Sequence, residues 1–126
     1  MNMSLRTAIF IVDDLPTMRE RLRELVADID GVEIVGDAGT PRDAIDGILR
    51  THPDCVLLDY QLEGGTGVDV LRAVLARSPD IAFIVLTNHA TPQHRRACLD
   101  AGARHFLDKS TEFGSIRSAI AELEPH

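Results

Sequence analysis

Five short apolar runs punctuate the chain, at residues 8–12, 32–35, 55–58, 81–86 and, more weakly, 105–107. Near-continuous stretches of Val, Ile and Leu of this length suit strands covered on both faces, as in a parallel sheet. The segments between them change to helical spacing. Met18, Leu22, Leu25, Val26 and Ile29 trace one face of a first helix. It starts near Pro16, where a missing N–H costs nothing, and Gly31 ends it. Thr40-Pro41-Arg42-Asp43 opens a second helix, with Thr40 as N-cap, Pro41 at the first helical position and an acid in the first turn. Ile45, Ile48 and Leu49 give its buried face. A third helix is predicted from about residue 67 to 77 on Val68, Leu71, Val74 and Leu75, and Ser78-Pro79-Asp80 breaks it. A fourth begins near Thr91-Pro92 and stops at Ala101-Gly102. A fifth spans about residues 111–123, with Phe113, Ile116, Ile120 and Leu123 on one stripe. Strands alternating with helices in this way predict an open α/β sheet with helices on both faces.

Composition narrows the class. A chain of 126 residues that is 44% hydrophobic makes one compact domain, residues 1–126, with no room for a second. The formal net charge of -7, with no segregated basic patch, argues against nucleic-acid binding. Cys55 and Cys98 are too few for a disulfide framework and read as free thiols. The apolar stretch near the N-terminus is too short for a membrane span or a secretory signal, so a cytoplasmic location is expected.

The chemistry sits where the strands end. Asp13 and Asp14 follow the first run, Asp59 the third, Thr87 the fourth, and Lys109 stands just past the fifth. Ligands of such sheets bind beyond the carboxyl ends of the strands, at the topological switch point. In a sheet of order 2-1-3-4-5, the first and third strands are neighbours there, and the three aspartates meet. Carboxylates so crowded repel one another unless a cation offsets them. A hard divalent ion such as Mg2+ suits oxygen ligands and brings phosphate oxygens with it. The Thr87 hydroxyl and the Lys109 ammonium supply what a phosphoryl group with charge on its equatorial oxygens needs.

Taken together, IFIVDD with Asp13 and Asp14, VLLDY with Asp59, IVLTN with Thr87, and HFLDK with Phe106 and Lys109 resemble the receiver domain of two-component response regulators. The resemblance covers essentially the whole length and is closest in kind to single-domain chemotaxis regulators. It implies a flavodoxin-like (βα)5 fold, a five-stranded parallel sheet of order 2-1-3-4-5. It also implies that Asp59 is the phosphorylated nucleophile, accepting a phosphoryl group from a sensor histidine kinase or histidine phosphotransfer protein. Asp14, Asp59 and the backbone carbonyl of Gln61 would hold Mg2+ directly, and Asp13 mostly through water. Lys109 would pair with a phosphoryl oxygen. Thr87 would be drawn towards that group, and Phe106 would turn inward with it. The surface that reads out the two states would be the fourth helix, fifth strand and fifth helix, carrying Gln93, His94, Arg95, Arg96, Arg104 and Glu112. His94, Arg95 and Arg96 could equally be a solvated helix face. Such a protein is a signalling switch rather than an enzyme, a monomer or a phosphorylation-dependent dimer, with a downstream protein target and no membrane insertion.

Two loops depart from the family pattern. Glu63 stands where proline is frequent, and Ser110 follows Lys109 where proline is usual. A non-proline cis bond costs about 2.5 to 4 kcal/mol, which favours trans at Lys109-Ser110, although the fold could impose cis to aim the lysine. Gly64-Gly65-Thr66-Gly67 lacks the lysine of a Walker motif and reads as a flexible loop. The histidines have no metal-ligand spacing. His89 and Gln61, each two residues after a site residue, are candidates for tuning how fast water attacks the acyl phosphate. An Mg2+-dependent aspartyl-phosphate phosphohydrolase would share this nucleophile and metal chemistry; a phosphorylation-independent docking module would share only the fold, and has no reason to crowd three carboxylates. The initiating Met and the end of the chain right after the last helix favour a single-domain protein over one with an output module.

Overall fold

The apolar runs lie side by side in one parallel sheet. The structure, a computed structural model, describes residues 6–88 and 90–123. In chain order its elements are β1 (Thr7–Val12), α1 (Pro16–Ala27), β2 (Val32–Ala38), α2 (Pro41–Thr51), β3 (Cys55–Asp59), β4 (Gln61–Leu62), β5 (Gly65–Thr66), α3 (Gly67–Leu75), β6 (Ala82–Thr87), α4 (Pro92–Asp100), β7 (His105–Asp108) and α5 (Ser115–Ala121). The sheet runs β2-β1-β3-β6-β7, every neighbouring pair parallel. Counted over these long strands alone, that is the 2-1-3-4-5 order expected from the sequence.

Because side chains alternate across a strand, each strand feeds two cores. Phe10, Val12, Val56, Leu58, Phe83, Val85 and Phe106 face one side and pack with Ala44 and Ile48 of α2, Val70, Leu71 and Val74 of α3, and Cys98 of α4. Ile9, Ile11, Cys55, Leu57, Ile84, Leu86 and Leu107 face the other, against Leu22 and Val26 of α1 and Ile116, Ala119 and Ile120 of α5. Both cysteines are free and buried. Among the described residues no helix is long and apolar enough to cross a membrane.

Thr-Pro starts α2 and α4 as the sequence predicts. The Thr40 hydroxyl accepts the Asp43 N–H at 3.2 Å, and the Thr91 hydroxyl accepts the His94 N–H at 3.1 Å. The register then levels the carboxyl ends. Val12 faces Leu58, Asp59 faces Leu86, and Thr87 faces Asp108, so the residues that follow these strands open onto one edge.

The clearest departures from expectation are two boundaries and one loop. β2 continues to Ala38 rather than stopping at residue 35. α5 begins at Ser115, not near 111, because polar side chains claim the backbone before it. Asp108 Oδ1 accepts the Ser110 N–H at 2.8 Å and the Thr111 N–H at 3.3 Å, while Glu112 Oε1 accepts the Asp108 N–H at 2.9 Å. Phe113 still joins the α1 and α5 core, with the Arg21 guanidinium 4.6 Å above its ring. The glycine-rich segment read as a flexible loop is a small antiparallel hairpin, β4 with β5.

Candidate functional site

Asp13, the first residue past β1, is fully buried, and every polar atom it carries has a partner. Its N–H donates to the Ala38 carbonyl at 3.1 Å. Oδ1 accepts the Leu15 N–H at 3.0 Å, and Oδ2 accepts Lys109 Nζ at 2.5 Å. Its carbonyl oxygen accepts Arg19 Nη1 at 2.5 Å. The same Lys109 Nζ lies 3.4 Å from Asp59 Oδ1, so one buried ammonium bridges two of the three acids. Carboxylate oxygens of Asp13, Asp14 and Asp59 lie within 4.8 Å of one another.

Asp59 is only 8% exposed. Burial pushes its carboxyl up to about 6; the Lys109 charge opposes this, the Asp13 carboxylate adds to it, and hydrogen bonds from Lys109 and the Gln61 N–H pull back down. The chain after Asp59 folds tightly back. The Gly67 N–H donates to the Tyr60 carbonyl at 2.6 Å, and a side chain at Gly67 would put its Cβ 2.5 Å from the Asp59 carbonyl oxygen. A methyl there has no space, which is a physical reason for glycine where α3 starts.

Thr87 ends β6, almost wholly buried, and its carbonyl accepts the Lys109 N–H at 2.8 Å, which seats Lys109 beside it. The Lys109-Ser110 peptide is trans, as is every peptide among the described residues. A cavity of about 190 Å³ opens over this edge, lined by Asp14, Leu15, Asp59, Gln61, Thr87, Asn88 and Lys109. A larger hollow of about 670 Å³ lies at the opposite, amino ends of the strands, around His52, Asp54, Arg77 and Arg104, far from the acids. Phe106 on β7 is 5% exposed and packed inward.

The structure thus brings together Asp13, Asp14, Asp59, Gln61, Thr87 and Lys109, with Phe106 buried on the neighbouring strand. His89 lies outside the described residues. Of the readout residues, His94 is not simply solvated: its ring stacks on Tyr60 at 4.4 Å, joining the first turn of α4 to the residue after Asp59. Sequence reasoning missed that stack and missed Arg19. The acid trio is an all-oxygen donor set, and such a set fits a hard divalent cation better than a soft or nitrogen-seeking one.

Residues 9–121 match the family of response regulator receiver domains. The chain belongs to that family. This receiver domain is 32% identical over 115 residues to a nitrate/nitrite response regulator protein homolog of Haemophilus influenzae, covering 91% of this chain and 55% of that protein. It is 36% identical over 104 residues to the uncharacterized transcriptional regulatory protein YhcZ of Bacillus subtilis, covering 82% of this chain and 49% of that one. The receiver domain therefore spans about half the length of the curated relatives it matches. Among solved structures, it resembles a LuxR-family two-component response regulator from Aurantimonas, with a TM-score of 0.89 at 28% identity over 94% of this chain and 85% of that one. It also resembles the signal receiver domain of the putative response regulator NarL from Mycobacterium tuberculosis, at 0.86 and 27% identity over 93% and 94%.

Proposed function

We propose that this receiver domain is a cytoplasmic phospho-acceptor: Asp59 takes a phosphoryl group from a histidine kinase or phosphotransfer protein and the change is passed on by protein contact. The observation that carries this reading is the placement of Asp59. It stands in a small open cavity with a buried ammonium 3.4 Å away, a buried hydroxyl on the next strand and two further carboxylates alongside. An Asp59 oxygen attacks phosphorus and forms the acyl phosphate. The bond to the donor's imidazole nitrogen breaks, and its electron pair returns to that ring, which takes a proton from solvent. Lys109 and the Thr87 hydroxyl are set to meet the equatorial oxygens of the arriving group.

Asp14 and Asp59, with the Gln61 carbonyl, would hold Mg2+, and Asp13 would hold it through water. When bound, the ion supplies neutralisation of the charge shared by acids and phosphoryl oxygens. Lys109 now satisfies Asp13, so phosphorylation offers it a competing anion. Thr87 moving towards the same anion would shift the packing next to Phe106, and the α4, β7 and α5 face would carry the result outward. With a net charge of -7, this domain is itself ill suited to the phosphates of DNA.

Incubation with Mg2+ and acetyl phosphate or phosphoramidate tests the reading. The expected product is one alkali-labile phosphoryl group per chain by intact mass, absent from Asp59→Asn. Failure to label at all would favour a docking module, and rapid release of phosphate without accumulation would favour a phosphohydrolase.

A further inference from the structure

We propose that Arg19 is a positioning residue for the acid cluster: its guanidinium, steadied by Asp37, clamps the peptide between Asp13 and Asp14 and so fixes where the Asp14 carboxylate stands for a divalent cation. The inference rests on reading Asp13, Asp14 and Asp59 as a cation site.

The geometry is specific. Arg19 Nη1 donates to the Asp13 carbonyl at 2.5 Å, and that carbonyl belongs to the peptide whose nitrogen is Asp14's. Asp13 cannot turn away, because both of its carboxylate oxygens are already held, by Leu15 and Lys109. Asp14 has no such restraint on its side chain among these bonds. The orientation of its Cα–Cβ bond therefore depends on the peptide plane that Arg19 holds.

Arg19 also has a looser ion-pair partner on β2. Arg19 Nε lies 3.9 Å from Asp37 Oδ1, and Arg23 Nε donates to the other oxygen of Asp37 at 2.9 Å. The Arg19 side chain is 23% exposed. Gly39 completes the seat: a Cβ there would lie 2.9 Å from Arg19 Nη1, too close for a carbon, and in ordinary contact at 3.6 Å with the Asp13 carbonyl oxygen. Any side chain at 39 must displace the flexible arm, and what it displaces is the clamp.

Positioning and plain electrostatics predict opposite signs. Removing a cation near three carboxylates should tighten Mg2+ through Coulomb attraction. Removing a clamp on a ligand's backbone should weaken it, and losing such outer partners of a metal site typically costs about tenfold or more in affinity.

The experiment is calorimetric titration of Mg2+ into parent, Arg19→Met, Gly39→Ala, Arg21→Met and Asp14→Asn. Alongside it, the Asp14 amide resonance and the thermal midpoint are recorded without metal. Arg19→Met and Gly39→Ala are expected to bind Mg2+ about tenfold more weakly, with the Asp14 amide shifted and a cooperative unfolding transition retained. Arg21→Met, which removes an α1 cation that sits over Phe113, is expected to bind like the parent. Gly39→Ala keeps every charge and stands in should Arg19→Met fail to fold. Unchanged or tighter Mg2+ binding in both variants, with Asp14→Asn still defective, would overturn the inference alone. If the parent does not bind Mg2+, or Asp14→Asn binds like the parent, the cation-site reading falls and takes this inference with it.

Discussion

Asp59 has to be an anion to accept either a cation or a phosphoryl group, yet its burial favours the neutral acid, with an ordinary value of 3.8 moved to about 6. Phosphorylation by acetyl phosphate at limiting Mg2+ is therefore expected to fall as pH drops through about 6, which initial labelling rates would show. Stability runs the other way. Between those two values the folded carboxyl keeps a proton that the unfolded one has lost. Its contribution is thus complete below the lower value and is lost as pH rises through the upper one. Asp59→Asn should accordingly flatten the fall in stability of the metal-free protein across that window, measured by urea unfolding at a series of pH values. Lys109→Ala should do the reverse of stabilising: it strands the fully buried Asp13 carboxylate, at a cost of about 3–5 kcal/mol. Asp13, Asp14, Asp59, Thr87 and Lys109 were legible because each stands next to an apolar run, and the sheet order turns that adjacency into convergence. Arg19 was not. Its partner is a backbone carbonyl, and no pattern of residue types signals which carbonyl an arginine will find.

At the scale of the element, caps and turns decide what could be foreseen. Thr40-Pro41 and Thr91-Pro92 announced α2 and α4, and the hydroxyl bonds at both N-termini are the ones the sequence implies. Thr40→Ala should cost about 1 kcal/mol, seen as a midpoint several degrees lower in thermal unfolding. The start of α5 was misplaced for an equally physical reason. Apolar spacing put Phe113 on the helical stripe, and Phe113 does pack there, but Asp108 and Glu112 bond the intervening backbone into turns before the helix can begin. The β4 and β5 hairpin was hidden because two residues per strand leave no periodicity to read.

For the whole molecule, the consequence of gathering the chemistry on one edge is that occupancy there is felt by several strands at once. β1, β3, β6 and β7 each deliver a residue to it, so a cation that binds the folded chain alone stabilises all of them together. At a hundredfold excess over its dissociation constant, Mg2+ should add about 2.7 kcal/mol, visible as a higher thermal midpoint that chelation reverses. Asp14→Asn should lose most of that increment. The stacked Tyr60 ring adds a practical property. The chain has no tryptophan and a single tyrosine, and that tyrosine directly follows Asp59 and lies against His94. Its ultraviolet emission comes from one residue, next to Asp59 in the chain and stacked on His94, so a phosphoryl group that shifts α4 against the Asp59 loop is expected to change the fluorescence of the unlabelled protein.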